Sequence, residues 1–140
     1  MKIESAAGTN NQVYTDAVSI RQTVFVKEQG ISAKLEFDGL DDQVIHYVGY
    51  VNDQPVVTAR IRLEDHTARI QRVATLKPFR HHGYANMLLQ QVIAEMADGT
   101  FLELNAQVTA IGLYTQLGFQ QTGEPFEEVG IKHVKMVKQV

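Results

Sequence analysis

The sequence predicts a mixed α/β fold, with helices on the faces of a mixed sheet, as one domain over residues 1–140. The first observation is size, since 140 residues, 44% of them hydrophobic, suffice for one buried core and leave no room for a second domain. The second is a changing hydrophobic period, which gives the order helix, three strands, helix, strand, helix, two strands. This order differs from the regular alternation of a doubly wound fold.

A helix is predicted over residues 11–28, followed by an acidic loop over residues 36–42. Asn10 or Asn11 can cap the helix N-terminus, and Gly30 can end the helix. The residues that recur at helical spacing are Tyr14, Ala17, Val18, Arg21 and Phe25.

Two strands are predicted over residues 44–51 and 56–63, joined as a hairpin. Both are rich in β-branched residues, and the turn formers Asn52, Asp53 and Pro55 lie between them. Apolar and polar residues alternate in the second strand, which predicts one buried and one exposed face. The apolar side is Val57, Ala59, Ile61 and Leu63, and the polar side is Thr58, Arg60 and Arg62.

The third strand is predicted over residues 68–76, where the parity of the apolar residues changes. Ala68 and Ile70 occupy even positions, whereas Val73 occupies an odd one. A β-bulge would account for the change, because it inserts one extra residue into a strand. A strand buried on both faces would tolerate the same pattern.

A second amphipathic helix is predicted from Gly83 to near Gly99, and its apolar stripe must pack on the sheet. Residues 101–107 alternate as a strand, and a shorter helix closed by Gly118 follows. Residues 119–123 and 131–137 give the last two strands. The second helix carries Ala85, Leu88, Leu89, Val92, Ile93 and Met96, and the third carries Ala110, Leu113, Tyr114 and Leu117.

Composition excludes several classes of protein. With 0 Cys, disulfide frameworks and thiolate nucleophiles are ruled out. A formal charge of -3, without a run of Lys or Arg, argues against nucleic-acid binding. No apolar stretch reads as a signal peptide or a membrane span, so we expect a cytoplasmic protein without a membrane partner.

The segment of residues 73–85 is the most informative for chemistry. It predicts a strand, a short polar turn and a helix beginning beside Gly83. Such a junction directs unpaired backbone N–H groups and the positive end of the helix dipole at one spot, which favours a phosphate. Small residues at Gly83 and Ala85 would let the ligand approach, or would only permit helix-on-strand packing. No P-loop and no Gly-x-Gly-x-x-Gly motif occurs.

This segment contains Arg80-x-x-Gly83-x-Ala85, which resembles the coenzyme A pyrophosphate loop of the GNAT superfamily of acetyl-CoA-dependent N-acetyltransferases. Residues 110–119 resemble the second GNAT signature, a helix that carries a Tyr and ends in Gly-Phe. Residues 21–29, 36–38 with Asp41 and Asp42, and 130–136 resemble the ElaA-like bacterial group. The resemblance implies a three-layer fold, with a mostly antiparallel sheet of six to seven strands that splay at the cofactor site.

The resemblance also implies a binding site for acetyl-CoA. The pantetheine arm would pair with the backbone of Val73, Ala74 and Thr75, and an N–H of Val73 or Ala74 would polarise the thioester carbonyl. Gln107 could bond the pantetheine, and Arg80 could add positive charge. Backbone N–H groups of the following turn would hold the pyrophosphate, although His81 stands where many relatives carry Gly. These residues are His81, His82, Gly83, Tyr84 and Ala85.

The implied activity is transfer of an acetyl group from acetyl-CoA to a primary amine, by direct attack in a ternary complex. The departing thiolate needs a proton, and Tyr114 matches the family position for a general acid. Its place on an apolar stripe would equally suit a core residue. The implied acceptor is a small-molecule amine, and the implied assembly is a homodimer.

The sequence offers several candidates for the general base. Residues 70–73 read Ile-Gln-Arg-Val, without the Glu that relatives often carry there. The candidates are Glu28, Glu103, Asp38 and His133, or a chain of water molecules, and Glu28 and His133 are also candidate acceptor-binding residues. The missing Glu motivates an alternative, a non-catalytic acyl-CoA-binding sensor or partner-binding module.

A metal site is not expected. His46 and the acidic group Asp38, Asp41 and Asp42 match no EF-hand spacing, so we expect an ordered loop whose side chains cap backbone groups.

Overall fold

A seven-stranded sheet runs through the computed structural model, which describes all residues, 1–140. The strand order is β1-β2-β3-β4-β5-β7-β6, and β4 with β5 is the one parallel pair. The strands are β1 Lys2–Ala7, β2 Ile45–Val51, β3 Gln54–Glu64, β4 Thr67–Thr75, β5 Phe101–Gln107, β6 Gln120–Glu128 and β7 Ile131–Gln139. The predicted mixed sheet is confirmed.

Strand β1 was not predicted from the sequence. It pairs antiparallel with β2 at the edge of the sheet. Its six residues carry a single β-branched side chain, Ile3, and no clear alternation of burial. An edge strand of this kind is specified by the exposed backbone of its neighbour more than by its own side chains.

The first helix, α1, spans Gln12–Arg21 and continues in π-helical turns over Gln22–Glu28, as predicted for residues 11–28. The Asn11 side chain caps it by accepting a hydrogen bond of 2.8 Å from the N–H of Tyr14. Further helices are α2 Ala33–Glu36, α3 Tyr84–Glu95 and α4 Ile111–Gln116. α3 ends before Gly99 because Met96 is extended, with a ψ of 141°. None of these helices is long and apolar enough to cross a membrane.

Helices cover both faces of the sheet, which gives the expected three layers. On one face α1 packs over β2, β3 and β4 around seven buried residues, Ala17, Ile20, Val24, Phe25, Ile31, Val48 and Ala74. On the other face α3 and α4 close an 18-residue core that includes Tyr47, Val57, Ile61, Leu88, Leu89, Tyr114 and Met136. The prediction of a half-exposed β3 was wrong, because α1 also buries Thr58 and Arg60 to 1% exposure.

The predicted bulge lies at Arg72. Thr58 pairs with Ala74 and Arg60 with Gln71, so two residues of β4, Arg72 and Val73, lie opposite Ala59. Arg72 has a φ of +57°, in the left-handed region. The pairing of β4 with β5 ends at Arg69 and Glu103, and beyond this point the two strands diverge. The expected splay of the sheet is confirmed.

A buried network of three arginines and three carboxylates joins this bulge to the acidic loop. Arg21 pairs with Glu36 at 2.8 Å and Asp41 at 2.9 Å, and Arg60 pairs with Asp38 and Asp41 at 3.0 Å. Arg72 bonds Glu36 at 3.0 Å and Asp38 at 3.3 Å. The carboxylates thus mainly hold guanidinium groups and only in part cap the backbone, as Asp38 does for Leu40 N–H at 3.1 Å.

The strand β6 forms the opposite edge of the sheet, and all nine of its residues are exposed. Its pairing with β7 is interrupted between Thr122 and Phe126, where Gly123 has a φ of +77° and Pro125 follows. Glu124, Glu127 and Glu128 add negative charge along this edge.

We expect acid to destabilise the protein through Asp38, whose side chain is 29% exposed. Burial alone would raise its pKa, but hydrogen bonds from Arg60 and Leu40 N–H lower the pKa to about 2, from an ordinary 3.8. The folded state therefore binds this proton less readily than the unfolded chain. The stabilisation, roughly 2 kcal/mol, is present above about pH 4 and is lost as the pH falls towards 2.

Urea unfolding of wild type and Asp38→Asn between pH 2 and 6 measures this effect. The variant should lose most of the pH dependence that Asp38 contributes. Equal slopes of unfolding free energy against pH in the two proteins would contradict this role of Asp38.

Candidate active site

The divergence of β4 and β5 opens a pocket of about 560 Å³. The π-helical turns after α1, both splayed strands, α4 and the β6–β7 turn line it. Eight of the predicted site residues line this pocket, namely Val73, Ala74, Thr75, Arg80, Ala85, Gln107, Tyr114 and His133. Four others, His81, His82, Gly83 and Tyr84, lie in the turn between Arg80 and Ala85, and Glu28 lies outside the lining.

The edge of β4 that faces the gap carries the backbone of Val73. Leu76 N–H donates to Val56 of β3 at 2.9 Å, and backbone groups alternate in direction along a strand. Ala74 therefore faces β3, while Val73 and Thr75 face the gap. The Thr75 carbonyl accepts a hydrogen bond of 2.9 Å from Arg80 Nε. Of the two expected donors to the thioester carbonyl, Val73 has the suitable direction.

The turn before α3 leaves several backbone donors free. Gly83, with a φ of +79°, is the N-cap and offers no side chain, so the first N–H groups of α3 lack acceptors. A Cβ added at Gly83 would meet nothing within 4 Å. This open space beside the positive end of a helix of 12 residues suits an anion.

His81 adopts the conformation that a glycine would have at its position, with a φ of +66°. The left-handed backbone of this turn is therefore formed at the expense of local strain. The neighbouring His82 stabilises the turn, because its Nδ1 lies 2.8 Å from the Arg80 carbonyl and its ring stacks on Tyr84 at 5.5 Å.

Arg80 binds protein groups with its whole guanidinium. Besides Thr75, it holds Glu28 through two hydrogen bonds of 2.6 and 2.7 Å. The hydrogen bond from Arg80 lowers the pKa of the Glu28 carboxyl. Arg80 thus fixes the turn to the end of the π-helical segment, and Glu28 neutralises its charge.

Tyr114 packs in the core and also lines the pocket. Its ring is 5% exposed and packs edge-on against Phe119 at 6.0 Å. Tyr114 lines the pocket, and its hydroxyl has no hydrogen-bond partner in the protein. Burial raises the pKa of the phenol, so the hydroxyl stays protonated at neutral pH and can donate.

A polar floor, defined as Glu103, Asn105, Gln107, His133 and Lys135, lies on the face of β5 and β7 beside α1. Strand register places Gln107 opposite His133 and Asn105 opposite Lys135. Gln107 exchanges hydrogen bonds of 3.0 and 3.3 Å with Gln29, at the end of the π-helical segment. Gln29, Asn105 and Lys135 were not predicted as site residues. The alternation of β5 and β7 could have placed the last two on one face.

Three of the four candidate bases are held in ion pairs. Glu103 binds Arg69 at 3.0 Å and Lys135 at 3.4 Å, Glu28 binds Arg80, and Asp38 binds Arg60. His133 is the candidate without a charged partner. No three His, Asp or Glu side chains are grouped as a metal site would require.

Residues 10–140 match the family model of the acetyltransferase (GNAT) domain. The protein YyaT of Bacillus subtilis is 37% identical over 131 residues, which cover 89% of this chain and 88% of YyaT. The chain belongs to the GNAT acetyltransferase family. The crystal structure of Escherichia coli ElaA superimposes on it with a TM-score of 0.87 at 24% identity, covering 99% of this chain and 100% of that one.

The predicted family, fold and acyltransferase class are thereby confirmed. A Bacillus subtilis acetyltransferase solved in complex with CoA shares the fold, with a TM-score of 0.67 at 16% identity, over 99% of this chain and 98% of that one.

We expect His81→Gly to stabilise the acetyltransferase by about 1 kcal/mol, because glycine adopts a φ near +66° without steric cost. His82→Gly is the matched control, since His82 does not have a positive φ and its ring stacks on Tyr84. It should destabilise the protein. Urea unfolding of both variants measures the difference, and a loss of stability in His81→Gly would contradict the strain at this position.

Proposed function

We propose that the protein transfers an acetyl group from acetyl-CoA to a primary amine by direct attack. The observation that carries the proposal is the continuity of two features. The free edge of β4 at Val73 leads through the Arg80 turn to the uncapped N-terminus of α3. One extended ligand with a polar arm and a diphosphate would contact both the free edge of β4 and the N-terminus of α3.

The residues present fit coenzyme A. The N–H groups from His81 to Ala85 surround open space at Gly83, where the pyrophosphate would lie. The backbone of Val73 and Thr75, which faces the gap, would hold the pantetheine, whereas the predicted contact with the Ala74 backbone is taken up by β3. Gln107 would give up its contact with Gln29 to bond the pantetheine. When bound, acetyl-CoA supplies an activated acetyl thioester. The N–H of Val73 would then face the carbonyl oxygen that gains charge in the reaction.

Tyr114 is proposed as the general acid. Its protonated hydroxyl lines the same pocket and is free to donate to the departing sulfur. The volume of about 560 Å³ lies in the range of small-molecule sites and favours a small-molecule amine as acceptor.

A second candidate is an acyl-CoA sensor or partner-binding module with the same ligand site. It is favoured by the absence of a carboxylate in the Ile70 to Val73 segment of β4. The two candidates differ in turnover. An enzyme releases coenzyme A when a suitable amine is added, whereas a sensor binds acetyl-CoA and releases none with any amine.

Substitution of Gly83 tests the pyrophosphate site. Asp and Asn both tolerate a left-handed backbone and have nearly the same shape, so they differ mainly in charge. Gly83→Asp should weaken acetyl-CoA binding at least tenfold more than Gly83→Asn, because its carboxylate repels a diphosphate. Isothermal titration calorimetry measures both affinities. If both folded variants bind acetyl-CoA with the affinity of wild type, this turn does not bind the pyrophosphate.

Tyr114→Phe tests the general acid. We expect kcat to fall by a factor on the order of 10² to 10⁴, while the dissociation constant for acetyl-CoA stays within about twofold of wild type. The thermal midpoint should change little, because the hydroxyl bonds no protein group. Thiol release with a panel of amines measures kcat, and an unchanged kcat would exclude Tyr114 as the acid.

A further inference from the structure

His133 lies on the polar floor at the carboxyl end of β5, opposite Gln107. It lines the pocket and is 7% exposed. Its ring stacks on Phe126 of β6, with ring centroids 6.1 Å apart and 22° between the planes. Packing on one side and the strand backbone beneath hold the imidazole in one orientation.

One hydrogen bond determines which ring nitrogen carries the hydrogen. Nδ1 of His133 lies 2.7 Å from the carbonyl oxygen of Ile131. Because a carbonyl oxygen can only accept, Nδ1 of the neutral ring must be the donor, and the lone pair is then on Nε2.

Nε2 of His133 has no partner within the protein. It is also not enclosed, because His46 Nδ1 is the one unpartnered side-chain nitrogen or oxygen that is shut off from solvent. Nε2 is therefore accessible to solvent, on a residue that lines the pocket, and a proton acceptor must be accessible in this way.

The charged groups that line the pocket around His133 are mostly paired with one another. From β4, Arg69 pairs with Glu103 at 3.0 Å and Arg72 with Glu36 at 3.0 Å. On the polar floor, Lys135 and Glu103 pair with each other at 3.4 Å. On β6, Glu128 accepts a hydrogen bond of 3.3 Å from Asn105. Tyr114 lines the pocket from α4, and Arg80 from the turn before α3, where it is neutralised by Glu28. Glu128 is thus the carboxylate of the lining without a cationic partner, and it favours an ammonium group near His133.

We propose that Nε2 of His133 accepts the proton that the acceptor ammonium must lose before it attacks, with Glu128 favouring the cationic form of the amine on entry. This inference rests on the proposed acetyl transfer and assigns its general base. His133 is a catalytic residue in this scheme, because Nε2 contacts the reacting nitrogen.

The proton balance closes with the groups present. The ammonium gives one proton to Nε2, the free amine forms the new C–N bond, and the C–S bond breaks. Tyr114 donates its proton to the departing sulfur. The nitrogen then loses its second proton, which passes through solvent to the Tyr114 phenolate and restores the hydroxyl. The imidazolium of His133 releases its proton to solvent, so one proton is released for each amide formed.

The first test needs no substrate. Nitrogen-15 NMR of the imidazole rings reports the tautomer of the free protein, with His133→Asn used to assign the signals. We expect a protonated Nδ1 and an unprotonated Nε2 at pH 8. The opposite tautomer would overturn the proposal, because Nε2 would then have no lone pair to accept a proton.

The second test is kinetic, with acetyl-CoA and either n-butylamine or 1,4-diaminobutane as acceptor. His133→Asn keeps a donor near the Ile131 carbonyl, His133→Gln keeps a polar group near Nε2, and neither can act as a base. Both should lower kcat by a factor on the order of 10² or more, and both should change the pH–rate profile, because neither side chain can accept the proton of the ammonium. His66→Asn, in the exposed β3–β4 turn, is the matched control and should behave as wild type.

The two proposals fail in different ways. If His133→Asn binds acetyl-CoA and keeps the wild-type rate and pH profile, His133 is not the base, whereas the acetyl transfer stands. If the thermal midpoint of the wild-type protein does not rise when acetyl-CoA is added, the proposed cofactor site is wrong, and so is the assignment of the base. Restoration of the His133→Asn rate by added imidazole would support a proton-transfer role over a structural one.

Discussion

The bulge at Arg72 is the constraint on which the site depends. It displaces the end of β4 from β5, and the pocket exists because the two strands do not pair beyond Arg69 and Glu103. A left-handed arginine is unfavourable by itself, so the surroundings must hold it. They do so through Glu36 and Asp38 and through the carbonyls of Leu35 and Glu36, all in the segment after α1. The shape of the cofactor gap is therefore set by a loop about 35 residues away in sequence.

The buried network that holds the bulge balances its charges, with three arginines facing three carboxylates. Removing such groups from water is unfavourable, and the interaction is retained only where each has partners. Burial raises the pKa of Glu36 despite its arginines, whereas the hydrogen bonds from Arg21 and Arg60 outweigh burial and lower that of Asp41. His46, which bonds the Asp41 carbonyl at 2.9 Å, keeps an unpartnered Nδ1 beside this network. The network joins the acidic loop to α1 and to the sheet, since each of its charges has a partner in another of these elements.

Local sequence patterns predicted most of the fold, and long-range contacts account for what they missed. Helical spacing located α1 and α3, and the parity change before Val73 located the bulge. The burial of Arg60 could not be predicted, because its partners Asp38 and Asp41 lie about 20 residues earlier in the chain. For the same reason the pairing of Arg80 with Glu28 was missed. In the site, the sequence offered His133 and Glu103 equally as candidate general bases. Only their partners in the structure distinguish them.

The edge strand β6 has a consequence for how copies of the chain can meet. Proline lacks a backbone donor, the irregularity at Gly123 twists the strand, and the glutamates repel one another across any close contact. A further strand from another molecule could not extend the sheet here in regular hydrogen bonding. This edge of the sheet is in this way protected against fibrous aggregation.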